Sequence, residues 1–279
     1  MTCTSAPLPF FGQKRAFLKP FCECLKGFSP YATYLDLFGG SGLLSHTVKQ
    51  TYPSARVIYN DHDNFNRRLE NLERTNKIIE ELREYGAQKG FKHAQRLEKE
   101  DRAGVGAILR TREERGEFID YATLGASLLF SARRVQSLKE LMSGSIYWRI
   151  NKTNYPHIHT YLQGVERVSG DFRAVYEAHK DARELVLVCD PPYLSTLQNA
   201  YGKEWFRVED FLVLMDIVEK HPFIFFSSER SEFYPLVKHL THRGINGGSL
   251  INIEPYAQKT SALTANARYV DHLYYSLGA

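Results

Sequence analysis

YATYLDLFGGSG, residues 31–42, is the stretch on which the fold turns. An apolar run reaches a carboxylate at Asp36 and breaks into Gly39, Gly40 and Gly42, and Leu43 to Thr51 then continues as a helix. The order is strand, turn, helix. A second short apolar run, Ala55 to Tyr59, suits a buried strand and ends at Asn60 and Asp61. Together these segments make a βαβ unit, the opening of a doubly wound sheet. The turn is neither the G-x-G-x-x-G of dinucleotide folds nor a phosphate loop, and Asp36 sets negative charge inside it. A pyrophosphate would be repelled there, whereas an ammonium or sulfonium group would not. Asp61 stands where acidic side chains accept from ribose hydroxyls, although taken singly it fits a solvated strand end equally well.

Further along, Leu185 to Cys189 (LVLVC) is a continuous apolar run of the kind covered on both faces, and Phe223 to Phe226 is another. Val208 to Val218 between them has helical periodicity. Asp190-Pro191-Pro192-Tyr193 follows the first of these runs directly, at the carboxyl end of a strand, where open α/β sheets bind ligands. The bland reading is a Pro-Pro turn that closes a strand. The chemical reading is more specific. Two prolines remove consecutive donors and stiffen the turn, so the Asp190 carboxylate and the Pro191 carbonyl form an acceptor pair suited to an NH2 group. The ring of Tyr193 adds a face for a planar base.

The middle of the chain has another texture. From Asn64 to about Leu141 dense charges of both signs accompany apolar residues at helical spacing, such as Ile78, Ile79, Leu82 and Tyr85, which predicts a mostly helical insertion. Ser143 to Gly170 is polar and aromatic without periodicity and reads as loop. The expected division is a catalytic domain from 1–63 and 165–279, and an inserted subdomain from 64–164. The fold class is α/β, a doubly wound Rossmann-like sheet with a mainly helical insertion. With 36 Lys+Arg against 32 Asp+Glu the net charge is only +4, so any basic surface is local. Four cysteines, with Cys22 and Cys24 one residue apart, make neither a disulfide framework nor a zinc or redox pair. His157 and His159 share no metal-ligand spacing, so no metal is expected. No apolar stretch approaches a membrane span and Met1 to Pro9 lacks a signal pattern, which predicts a cytoplasmic protein with no membrane partner.

These residues, in this order, resemble the Dam-type (D12 class) adenine-specific DNA N6-methyltransferases. The resemblance covers most of the chain and is weakest from about Asn64 to Gly164. It implies S-adenosyl-L-methionine as cofactor and transfer of its methyl group to the N6 amine of an adenine flipped out of duplex DNA. It places Asp190, Pro191, Pro192 and Tyr193 on the target amine, and Asp36, Phe38, Gly40 and Gly42 on the methionine part of the cofactor, with Asp61 on the ribose. Phe10-Phe11-Gly12-Gln13-Lys14 is similar to the family's aromatic-x-Gly-Gly-Lys cofactor segment, with Gln13 in place of the second glycine. Phe10, Gly12 and Lys14 are carried over, the last toward the cofactor carboxylate. Gly170-Asp171-Phe172 likewise implies that Asp171 accepts from the amino group of the cofactor's adenine. The inserted region then takes the place of target recognition, with Arg133, Arg134, Arg149 and Lys152 as candidates for phosphate and groove contacts. Whether a restriction endonuclease accompanies the protein is left open.

Other readings share the acceptor pocket: an amino-methyltransferase acting on RNA, on cytosine or on protein glutamine, or an inactive DNA-binding relative. Asp190 argues against the glutamine enzymes, which usually carry Asn there. Intact residues at Asp190 and Asp36 argue against decay.

Overall fold

The computed structural model describes residues 4–130, 135–194, 206–243, 250, 253–264 and 267–278. The helices are α1 (Leu18–Leu25), α2 (Leu43–Thr51), α3 (Phe65–Glu70), α4 (Leu72–Lys89), α5 (Lys99–Glu114), α6 (Tyr121–Leu128), α7 (Leu138–Ser143), α8 (Phe172–His179), α9 (Val208–Val218) and α10 (Phe233–Arg243). The strands are β1 (Thr33–Asp36), β2 (Arg56–Asn60), β3 (Gln95–Arg96), β4 (Tyr147–Trp148), β5 (Glu166–Val168), β6 (Leu185–Cys189), β7 (Phe223–Ser228), β8 (Ala257–Thr264) and β9 (Ala267–Ser276). The chain divides into two compact units, one of residues 1–5, 13–63 and 160–279, the other of residues 6–12 and 64–159.

The first unit is built on a sheet whose described strands run β5-β2-β1-β6-β7-β9-β8. β5, β2, β1, β6 and β7 are mutually parallel, and β9 and β8 join antiparallel at one side. This is a Rossmann-like α/β fold. Its central strands are buried along their whole length because helices cover both faces: all of TYLD, LVLVC and FIFFSS is buried. One face packs Leu35, Leu187, Cys189, Phe223 and Phe225 against Val175 and Tyr176 of α8 and Leu214 and Val218 of α9. The other packs Tyr34, Val57, Val186, Ile224 and Phe226 against Phe21 and Leu25 of α1 and Val48 of α2. Each side chain of this size taken fully out of water contributes roughly 1.5–3 kcal/mol.

The second unit has its own core, in which Ile78, Ile79 and Leu82 of α4 meet Val105 and Leu109 of α5, Leu124 and Leu128 of α6, Leu141 of α7 and Trp148 of β4. β3 and β4 form a short antiparallel pair. Residues 6–12 are anchored here by Arg68, whose Nη2 donates to the Pro9 carbonyl at 2.7 Å while its Nε is 3.0 Å from both oxygens of the buried Asp120.

Ser143 to Gly170, read above as loop, is corrected by the structure: it holds β4 and β5, and β5 is a strand of the main sheet. Glu166–Val168 is short, polar and on the sheet edge, so no apolar run marks it.

Candidate functional site

The strand order reverses between β1 and β6, and the candidate site is built on the carboxyl ends of the strands at that switch. β1 and β6 are parallel neighbours with Asp36 opposite Val188, so Asp36 and Asp190 leave the sheet at the same edge. Asp61 follows β2 on the other side of β1, its N–H donating to the Val168 carbonyl at 2.8 Å. Asp271 of β9 stands opposite Ser228, the last residue of β7, and so joins the same edge. Four carboxylates from four strands thus line one rim of the sheet.

Asp36 is 1% exposed. Ser45 Oγ donates to its Oδ2 at 2.6 Å, whereas Oδ1 is buried with no hydrogen-bond partner. Burial, opposed by the Ser45 hydroxyl and reinforced by the negative charge of Asp190, pushes its carboxyl up to about 7. A buried acceptor left in this condition is costly and is matched by a donor, best of all a cationic one.

The turn after Asp36 is narrow because residues around it close on it. At Gly39 an added Cβ would lie 2.2 Å from the Tyr59 ring and 3.0 Å from the Asn60 carbonyl. Gly42 caps α2 with φ of 73°, in the left-handed region, and faces Leu162. The Tyr59 hydroxyl sits 2.7 Å from the Gly40 carbonyl and 3.0 Å from Asp61 Oδ1. Behind the turn, Tyr161 OH donates to the Ser41 carbonyl at 2.8 Å and the Leu162 N–H to His46 Nδ1 at 3.2 Å, a bond that burial favours by holding His46 neutral.

The other predicted positions are distributed as follows. Phe38 packs on Phe172 and Phe206. Asp61 is completely buried, and Arg167 Nε donates to its Oδ2 at 2.9 Å. Asp171 is exposed and caps α8, accepting from the Arg173 N–H at 2.9 Å. The Asn60 amide holds this corner together: Nδ2 donates to the carbonyls of Leu37 and Gly170 at 3.0 Å each, and Gly170 N–H returns a bond to Oδ1. Pro191 is buried, and Pro192 and Tyr193 are half-buried. Lys14 is on Asp190, Nζ to Oδ2 at 2.8 Å.

Phe10 and Gly12 belong to the second unit, where the Phe10 ring meets Phe65 edge-on at 5.7 Å and Gly12 adopts φ of 82°. Arg149 is half-buried, its N–H on the Ser127 carbonyl and its Nη1 3.3 Å from that of Leu129, while Lys152 is exposed. Arg133 and Arg134 lie outside the described residues. Tyr59, Asn60, Ser45, Arg167 and Asp271 were not singled out in the sequence. The first two end the second strand, as does Asp61, and that position is the one signal that pointed to them.

The sequence matches the family described as D12 class N6 adenine-specific DNA methyltransferase over residues 10–230. The chain belongs to that family. It is also 34% identical over 282 residues to a Haemophilus influenzae protein named "Putative methyltransferase", an alignment that covers 98% of this chain and 93% of the relative. The chain is therefore a member of a methyltransferase family.

Proposed function

We propose that this methyltransferase moves the methyl group of S-adenosyl-L-methionine to the N6 amine of an adenine turned out of duplex DNA. The observation that carries the reading is the pairing of Asp36, with its buried and unpartnered oxygen, and Asp190 at neighbouring strand ends. The residues fit the cofactor. Asp36 Oδ1 is an acceptor awaiting a cation, which the ammonium of a methionine moiety supplies, and the tight Gly39 to Gly42 turn admits backbone close to it. Phe38, Gly40 and Gly42 shape this part of the site, Asp61 takes the ribose hydroxyls once Arg167 turns outward from its half-exposed position, and Asp171 accepts from the adenine amine of the cofactor. Phe10 and Gly12 belong to the N-terminal cofactor segment that the family resemblance implies.

Bound there, the cofactor supplies an electrophilic sulfonium methyl group. The chain's own contribution is to make an arylamine nucleophilic. Asp190 and the Pro191 carbonyl accept the two N–H bonds of the target, which favours a pyramidal nitrogen with its lone pair directed at the methyl carbon. Tyr193 stacks on the base and offsets part of the few kcal/mol spent on extruding it. After transfer the nitrogen bears a positive charge and gives up a proton to Asp190. The unit of residues 64–159 takes the DNA, through Arg149 and Lys152 and, outside the described residues, Arg133 and Arg134.

Asp190→Asn is the direct test. The variant is expected to bind S-adenosyl-L-methionine as the wild type does and to lose methyl transfer by roughly 10²–10⁴-fold. The measurement is calorimetric binding together with nucleoside analysis of DNA from a host without adenine methylation, which separates N6-methyladenine from methylated cytosine. Undiminished N6-methyladenine in the variant overturns the assignment.

A further inference from the structure

Lys14 stands in the position from which its family resemblance directs it to the cofactor's carboxylate, yet its ammonium is 2.8 Å from Asp190 Oδ2. Both side chains are mostly covered, 13% and 20% exposed, so the pair is screened less than a surface salt bridge. The chain reaches this point by a single 3-10 turn, Arg15–Phe17, whose first bond runs from the Phe17 N–H to the Lys14 carbonyl at 2.9 Å. Phe17, 2% exposed and packed edge-on against Phe226 of β7 at 5.7 Å, anchors that turn in the core beneath the site. Lys14 Nζ itself lies 6.0 Å from the centre of the Phe226 ring. Its location is therefore set by buried packing.

We propose that Lys14 is a positioning residue for the target-amine acceptor: its ammonium keeps the Asp190 carboxylate ionised and oriented at the rim until the adenine amine arrives. This rests on the reading of Asp190 as that acceptor. The need for it follows from what surrounds Asp190. Asp271 from β9 brings like charge, Asp190 in turn raises the neighbouring Asp36 carboxyl of β1, and the Cys189 thiol is held neutral by complete burial. Burial raises the Asp190 carboxyl, Lys14 opposes that both as a charge and as a hydrogen-bond donor, and Asp271 raises it further. Glu232, just before α10, accepts from the Leu194 N–H, four residues on from Asp190. A protonated Asp190 presents a donor to an amine that must itself donate, and it has no capacity for the proton released after transfer. Lys14 is the cation that keeps it in the accepting form.

Lys14→Met, Lys14→Gln and Lys14→Arg test this in the full chain, with tritiated S-adenosyl-L-methionine and bacterial DNA lacking adenine methylation as probes. Removing an opposite charge at this distance raises a carboxyl by roughly 1–3 units. The acid limb of the pH–kcat profile should therefore move to higher pH by that amount in the Met and Gln variants, with activity recovering as pH is raised. Arg should return the limb to its wild-type position. Calorimetry should find cofactor dissociation constants unchanged within about threefold, about 0.7 kcal/mol of binding free energy. An acid limb that stays in place while cofactor affinity falls about tenfold overturns the inference and returns Lys14 to the cofactor carboxylate. A wild-type protein that labels no adenine overturns the reading beneath it instead.

Discussion

At the residue scale the site is decided by what burial does to carboxylates. Burial and the charge of Asp190, opposed by the Ser45 hydroxyl and the Phe38 and Ser45 N–H groups, push the Asp36 carboxyl up to about 7. Its folded value exceeds its unfolded one, which means that it favours folding below about pH 4. That contribution is lost as pH rises through 7, where the ionised group is buried without its cation. Two consequences can be measured. Asp36→Asn should raise the melting temperature of the cofactor-free protein at pH 8, by the few degrees that follow from roughly 1–3 kcal/mol, while weakening S-adenosyl-L-methionine binding by at least about tenfold. Wild-type protein at pH 6 should release a proton on binding the cofactor, seen as a dependence of the calorimetric enthalpy on buffer ionisation. A melting temperature that drops at pH 8 in the Asn variant would show that the charge is already satisfied. Asp36 and Asp190 were singled out in the sequence because each stands at the end of an apolar run. Ser45, Arg167 and Asp271 were not, because their partners are set by the fold: Ser45 reaches Asp36 across the turn, and Arg167 and Asp61 are brought together by the pairing of β2 with β5.

The elements follow the same logic at larger spacing. β1, β2, β6 and β7 were visible as apolar runs because strands covered on both faces need no alternation. β5, with Glu166 and Arg167, and β8, with Gln258, Lys259 and Thr260, lie at the two sides of the sheet, where polar residues are tolerated and the run disappears. What joins β1 to α2 is a turn whose width is set by Tyr59 from β2. Gly39→Ala should therefore destabilise the protein by roughly 1–3 kcal/mol, because its Cβ would overlap a ring and approach a carbonyl. Tyr59→Leu in the same chain should restore part of that loss. Chemical denaturation of the two single variants and the double variant measures the coupling. Strict additivity of the two changes would show that the turn is not braced by this ring.

The whole molecule separates its charge along the division of its chain. Residues 64–159 hold 18 Lys+Arg against 13 Asp+Glu, and the remainder holds 18 against 19, so the net excess of +4 comes from the second unit. The unit with the acidic rim has no net attraction for a polyanion, and that rim repels phosphate locally. On the proposed function, affinity for DNA is expected from the second unit through counterion release, with log K falling linearly against log salt. Lys152 is exposed, and Lys152→Ala should reduce the magnitude of that slope by about one while weakening all duplexes alike. Arg149 is partly committed to the Leu129 carbonyl, so its replacement mixes lost DNA contact with lost structure and is the poorer probe. Arg183 is the matched control. It is 84% exposed and precedes β6, at the end of the strand away from Asp190, so Arg183→Ala should leave the slope as it is. Fluorescence anisotropy of a labelled duplex from 50 to 200 mM salt, roughly the range over which phosphate-driven binding changes most, reads both variants. Equal slopes for wild type and Lys152→Ala, with a reduced slope for Arg183→Ala, would place the DNA on the first unit and undo the assignment of recognition to the second.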